Sequence, residues 1–260
     1  KLTDPAQRKQ TYHEIDSISQ LATKYNIPNE YDKLMASIGS QGTNAYTSND
    51  VTCYVENIPN NEIENWAKVQ SDRFQNMVIR GFHTELEAVY EEENISMASD
   101  NTKEFAALWK LLTPTHPYGT QTTIGEQEHL KNPSIINIQN YFHRYYVPNN
   151  VAICMSGDFD PDQTIASDNL SRPEFSAQPD LTAVKDTAVV GKDAENVMLA
   201  WKFKGANDKE NDILDVIGEM LTNGKAGLME VDLEQQMKIA SASAFTYGLH
   251  DYSAFIVAGT

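Results

Sequence analysis

From Val197 onward the chain reads strand, helix, strand, strand, and this order constrains the fold more than any other feature. Val197 to Phe203 is a strand-like apolar run. Lys209 to Leu221 then places Ile213, Leu214, Ile217, Met220 and Leu221 on one side at a period of 3.6. Asn223-Gly224 closes that helix in the manner of a C-cap. Residues 226–237 read as helical, and 239–247 and 252–259 return to strand. Such an order fits an α+β fold, with a mostly antiparallel or mixed sheet and helices packed on one face.

Upstream, helices predominate. Residues 3–25 form a helix capped by Thr3 or Asp4, with Pro5 in its first turn and Ile15, Ile18, Ala22 and Tyr25 on one face. A short helix over 29–38 ends at Gly39. Residues 44–59 are two strand segments around Ser48-Asn49-Asp50. Helices follow over 60–77, 82–98 and 102–112. Thr113-Pro114-Thr115-His116-Pro117-Tyr118-Gly119 breaks the pattern. A helix over 133–146, a strand over 151–156 and a short helix over 161–170 complete a first domain spanning 1–170. Residues 171–186, with Pro173 and Pro179, read as a linker, and 187–260 as the start of a second domain.

Formal net charge is −17, from 37 acidic and 20 basic side chains. A chain this acidic repels phosphate backbones, which argues against nucleic acid as a partner. No apolar run is long enough to cross a bilayer. Gly224 and Gly227 lack the spacing of a phosphate-binding loop, and no serine lies in a nucleophile-elbow pattern. Cys53 and Cys154 have neither zinc-motif nor CxxC spacing and read as half-buried free thiols.

One segment suggests chemistry. His83 to Glu93 carries five glutamates within nine residues on a helix. Glu85 and Glu92, seven apart, project from nearly the same side and flank the apolar stripe of Phe82, Leu86 and Val89. A carboxylate held beside a core face is a reasonable hard ligand for Zn²⁺, with a second to orient it. The plainer reading is a solvated face, and one glutamate is not a zinc site. The six histidines, His13, His83, His116, His129, His143 and His250, have no i,i+4 pair, and read as surface or packing residues.

Several segments together resemble the pitrilysin/insulinase (M16) family of zinc metallopeptidases. Asn44-Ala45-Tyr46-Thr47-Ser48-Asn49-Asp50-Val51-Thr52-Cys53-Tyr54 is similar to its edge-strand motif, in which Asn-Ala precedes a Thr, an acidic residue and a Tyr. Glu85-x-x-Ala88-Val89-x-x-Glu92 resembles its second active-site segment. Asn140-Tyr141-Phe142-x-x-Tyr145-Tyr146-Val147-Pro148-Asn149-Asn150 and Ser156-Gly157-Asp158 resemble the end of its first domain. Leu221 to Leu228 and Gly248-x-x-Asp251-Tyr252-x-x-Phe255 resemble its second. The matches fall in order over about residues 40–260, leaving 1–30 as a helical insertion.

The resemblance implies that Glu92 is a zinc ligand and that Glu85 supports it from behind. It implies that Asn44 and Ala45 lie on the edge strand to which a peptide or unfolded protein substrate adds. The other two ligands and the general base would come from an HxxEH motif, which the 260 residues lack and which is expected before Lys1. The chain is thus expected to be an internal fragment that needs the rest of its polypeptide or a partner half, binds no catalytic zinc by itself and cleaves nothing. A periplasmic or exported location follows from the resemblance alone. The alternatives are an assembly or processing subunit of the same fold with a degraded site, and an unrelated acidic α+β binding domain.

Overall fold

The computed structural model describes residues 4–131, 134–160 and 174–260. The chain divides into two compact units built from interleaved segments. The first comprises Lys1–Tyr46, Thr52–Glu92 and Gln127–Glu174; the second comprises Thr47–Val51, Glu93–Glu126 and Phe175–Thr260.

In the first unit, helix α1 (Pro5–Thr23) begins at Asp4, whose carboxylate accepts from the Ala6 N–H at 3.0 Å. Its expected core face is not covered: Ile18 and Tyr25 are both exposed. Helix α2 (Glu30–Ser37) ends at Gly39, where φ of +82° lets the Ser40 N–H reach back to Met35 O. Strands β1 (Asn44–Thr47) and β2 (Thr52–Val55) form a hairpin, followed by α3 (Ile63–Gln75) and by most of α4 (Phe82–Met97).

The polar centre of this unit is Glu56, whose side chain is 6% exposed. Tyr31 Oη and Trp66 Nε1 donate to it, as does Gln70 Nε2 at 3.0 Å to each carboxylate oxygen. Arg73 NH1 lies 3.8 Å from it and stacks its guanidinium over the Tyr31 and Tyr54 rings at 4.2 and 4.5 Å. Tyr54, Phe74 and Tyr146 pack edge-on and face-on around this group, joining α8 (Ile135–Tyr145) to the hairpin.

The second unit is an antiparallel sheet in the order β3-β5-β4, from β3 (Val197–Lys204), β4 (Ala242–Gly248) and β5 (Tyr252–Gly259). Register runs Val197↔Gly259 to Lys204↔Tyr252, and Ala242↔Gly259 to Gly248↔Ser253. The α+β class and the antiparallel pairing are as the sequence implies, while the layering is fuller. Ala254 and Ile256 of β5 face α5 (Asp100–Leu112) through Leu108, Trp109 and Leu112. Phe255 and Val257 face α9 (Glu210–Leu221) through Leu214 and Leu221. Each face takes a helix because β5 is apolar at successive positions, so both of its sides bury.

Other expectations change. Residues 151–156 form no strand, and Cys154 there is exposed; only Cys53 is half-buried, and both are free thiols. Within 226–237 the helix is shorter than expected, running over 228–234 and passing into a π-helical turn at Glu230–Glu234. The expected helix over 161–170 lies outside the described residues. Residues 174–186 are irregular, and Gln178 among them is buried, accepting from the Thr115 N–H and Oγ1 while its own N–H donates to Tyr252 Oη. Among the described residues no helix is long and apolar enough to cross a membrane.

Asp100, buried in the first turn of α5, accepts from the Asp193 and Lys192 N–H groups at 2.9 and 2.6 Å and from Lys103 Nζ at 3.0 Å. Gly191 makes room for it, since a Cβ there would clash with the carboxylate. These bonds, the Asp193 amide first, lower its pKa from 3.8 to about 2. The folded-state value is depressed, so its contribution to stability is complete above pH 3.8 and is lost as pH falls towards 2. Asp100→Asn should flatten the acid limb of stability in that window, read as denaturation midpoints against pH. Glu56→Ala strands three donors and a cation, and should cost about 3 kcal/mol, read by urea denaturation with Trp66 fluorescence.

Candidate functional site

Helix α4 presents the acidic segment. Leu86 and Val89 are half-buried, whereas Glu85, Glu87, Glu91 and Glu92 are exposed. Seven residues is close to two turns, so Glu85 and Glu92 project from one side, roughly 10 Å apart along the axis. Neither carboxylate has a hydrogen-bond or ion-pair partner among the described residues. Four of the five glutamates thus face solvent. Glu93 is the exception: it is 5% exposed, and its Oε2 has no partner among the described residues. Periodicity does separate it from its neighbours: one turn past Val89, Glu93 falls within the Phe82, Leu86 and Val89 stripe, whereas Glu85 and Glu92 lie beside it.

A catalytic zinc needs three protein ligands, with neutral imidazole or carboxylate donors converging on one point. Among the described residues no three His, Cys, Asp or Glu side chains are grouped to hold a metal. His13, His83, His129, His143 and His250 are exposed. His116 is 1% exposed and packs against the Tyr118, Phe175 and Tyr252 rings. By themselves the described residues complete no zinc site, because the carboxylates of α4 and its one imidazole, His83, are exposed and do not group as three ligands.

The hairpin carries the other candidates. Asn44 and Ala45 are both exposed on β1. The Ser48 N–H donates to Val51 O at 2.8 Å, which sets Tyr46 opposite Cys53 and turns the N–H and C=O of Ala45 outward. That outward N–H is held by Asn44 Oδ1 at 2.8 Å. Among the described residues the edge is thus unpaired by backbone, with one donor parked on a side chain, which is a surface able to accept another strand. The structure leaves Asn44 and Ala45 on this edge and Glu85 and Glu92 on their helix.

Comparison with known proteins extends this. Residues 136–260 match the family model described as the peptidase M16 inactive domain. The chain is 25% identical to "Zinc protease PqqE" of Helicobacter pylori, an alignment covering 94% of this chain and 59% of that protein. It is 27% identical to "Uncharacterized zinc protease YmxG" of Bacillus subtilis, covering 82% of this chain and 53% of that one. Its fold is that of a solved protease from Helicobacter pylori, with a TM-score of 0.69 at 21% identity over 88% of this chain and 60% of that one. The chain spans between about half and three fifths of the length of the curated relatives it matches. Purified by itself, it should carry no stoichiometric zinc after dialysis, measured by atomic emission, and Glu92→Gln should leave that result unchanged.

Proposed function

We propose that this chain belongs to the M16 peptidase family and is part of a zinc-dependent peptidase acting on peptides or unfolded segments of proteins, a reading supported by the family model and by relatives named zinc proteases. The observation that carries this reading is the pair Glu85 and Glu92, exposed on one side of α4 in a chain whose relatives are named zinc proteases. Glu92 is the carboxylate ligand this chain contributes, and Glu85 steadies it from one side. The remaining ligands and the general base come from sequence that these 260 residues do not contain, since they hold no HxxEH. By itself the chain hydrolyses nothing.

Substrate recognition uses the hairpin. A peptide adds along β1 as a further strand, and Asn44 releases the Ala45 N–H to it. Main-chain pairing of this kind reads extended backbone more than side chains, which suits varied peptide substrates. A second reading, a non-catalytic subunit of the same fold, draws on one observation: the matched model is described as the family's inactive domain.

The natural polypeptide containing this sequence distinguishes the two. As a peptidase it holds zinc and cleaves an unstructured peptide. Glu92→Gln should then remove both, with activity falling at least ~100-fold, and Glu85→Gln should weaken zinc affinity about 10- to 100-fold. Wild-type protein without zinc or activity supports the subunit reading, and zinc retained in Glu92→Gln removes Glu92 from the ligand set.

A further inference from the structure

Three separated stretches of sequence meet in the second unit at one hydrogen-bonded group. Asp50 lies in the turn Thr47–Val51, Tyr118 in the Pro- and Gly-rich break, and His250-Asp251 in the turn between β4 and β5. Tyr118 Oη donates to Asp50 Oδ1 at 2.8 Å and accepts from the Asp251 N–H at 3.1 Å. The other Asp50 oxygen, Oδ2, accepts from the His250 N–H at 3.0 Å. The Asp251 carboxylate is itself held, with Oδ1 2.8 Å from His250 Nδ1 and Oδ2 3.2 Å from His116 Nε2. His116 Nδ1 accepts from the Tyr118 N–H at 3.3 Å.

The group is well supported. The Tyr118 ring is buried against Trp109 and His116 at 5.9 and 4.3 Å between centroids. Burial pushes its phenol far above the usual range, so Oη keeps its proton for Asp50. Asp50 accepts at both oxygens from groups more than sixty residues away in sequence. A turn residue that only closed its own hairpin would bond locally, as Ser48 does to the Asp50 and Val51 N–H groups.

We propose that Asp50 is a positioning residue, which clamps the β1–β2 turn to Tyr118 and to the His250 amide and so holds the outward edge of β1 in the conformation that accepts a peptide strand. Asp50 does not touch the peptide; it acts through the turn. This rests on the reading of β1 as the substrate edge, and the test separates the two claims.

Tyr118→Phe deletes the bridging hydroxyl and keeps the ring packing, and Asp50→Ala removes both acceptors. In the 260-residue chain, amide exchange should speed about tenfold at Ser48 and Cys53 in both variants, and at His250 in Asp50→Ala, with the strands β3 and β5 unaffected. Unchanged exchange at Ser48 and Cys53, or a uniform rise across the second unit, overturns the clamp. In the complete peptidase, Tyr118→Phe should raise KM about tenfold and leave kcat unaltered; a fall in kcat at constant KM overturns the link to substrate. A wild-type protein that cleaves no peptide removes the substrate reading, while exchange still decides the clamp.

Discussion

Strand β5 is buried on both faces, and the second unit is arranged around that fact. Ala254 and Ile256 are fully buried towards α5, and Phe255 is buried towards α9. A strand apolar at successive positions cannot leave either side to water, so each face must recruit a helix. The two-sided demand sets the sheet order, with β5 between β3 and β4. It also brings the β4–β5 turn, and with it His250 and Asp251, to where Tyr118 and Asp50 meet.

A chain with a net charge of −17 must also dispose of carboxylates. Those it buries are mostly caged by donors. Glu56 gathers Tyr31, Trp66 and Gln70. Asp100 takes two backbone N–H groups and a lysine. Glu230 gathers the Asn223, Gly224 and Gly227 N–H groups of one loop, and these hydrogen bonds lower its pKa against the opposing effect of burial. Caging of this kind repays the loss of hydration and orders the segments that supply the donors. Glu85 and Glu92 belong to the other class. They stand on a helix, exposed and without a hydrogen-bond partner among the described residues.

Much of this was legible from local patterns. The helices over 63–75, 82–97, 100–112 and 210–221 follow apolar spacing and breakers closely. The hairpin at 44–55 follows β-branched residues around a polar turn. Where local pattern was weak, reading failed. Val151 to Ser156 has strand-like composition but does not pair, because a strand needs a neighbour and sequence does not say where one is. The stripe on α1 has helical spacing, yet Ile18 and Tyr25 remain exposed. Burial of Glu93 was legible in the spacing, since it lies one turn past Val89 on the apolar stripe, about 100° round the helix from Glu92.

The sequence by itself determined most of the elements and their order, and its ordered motifs carried the resemblance to one peptidase family, since periodicity, caps and motifs are properties of neighbouring residues. It also marked Glu85, Glu92, Asn44 and Ala45 as the residues to watch. Only the tertiary structure decided which carboxylates are caged and which are open, and that Asp50, Tyr118 and Asp251 form one group. Burial and hydrogen bonding between residues as far apart as 50 and 250 depend on how the chain closes on itself, and no local pattern carries that information.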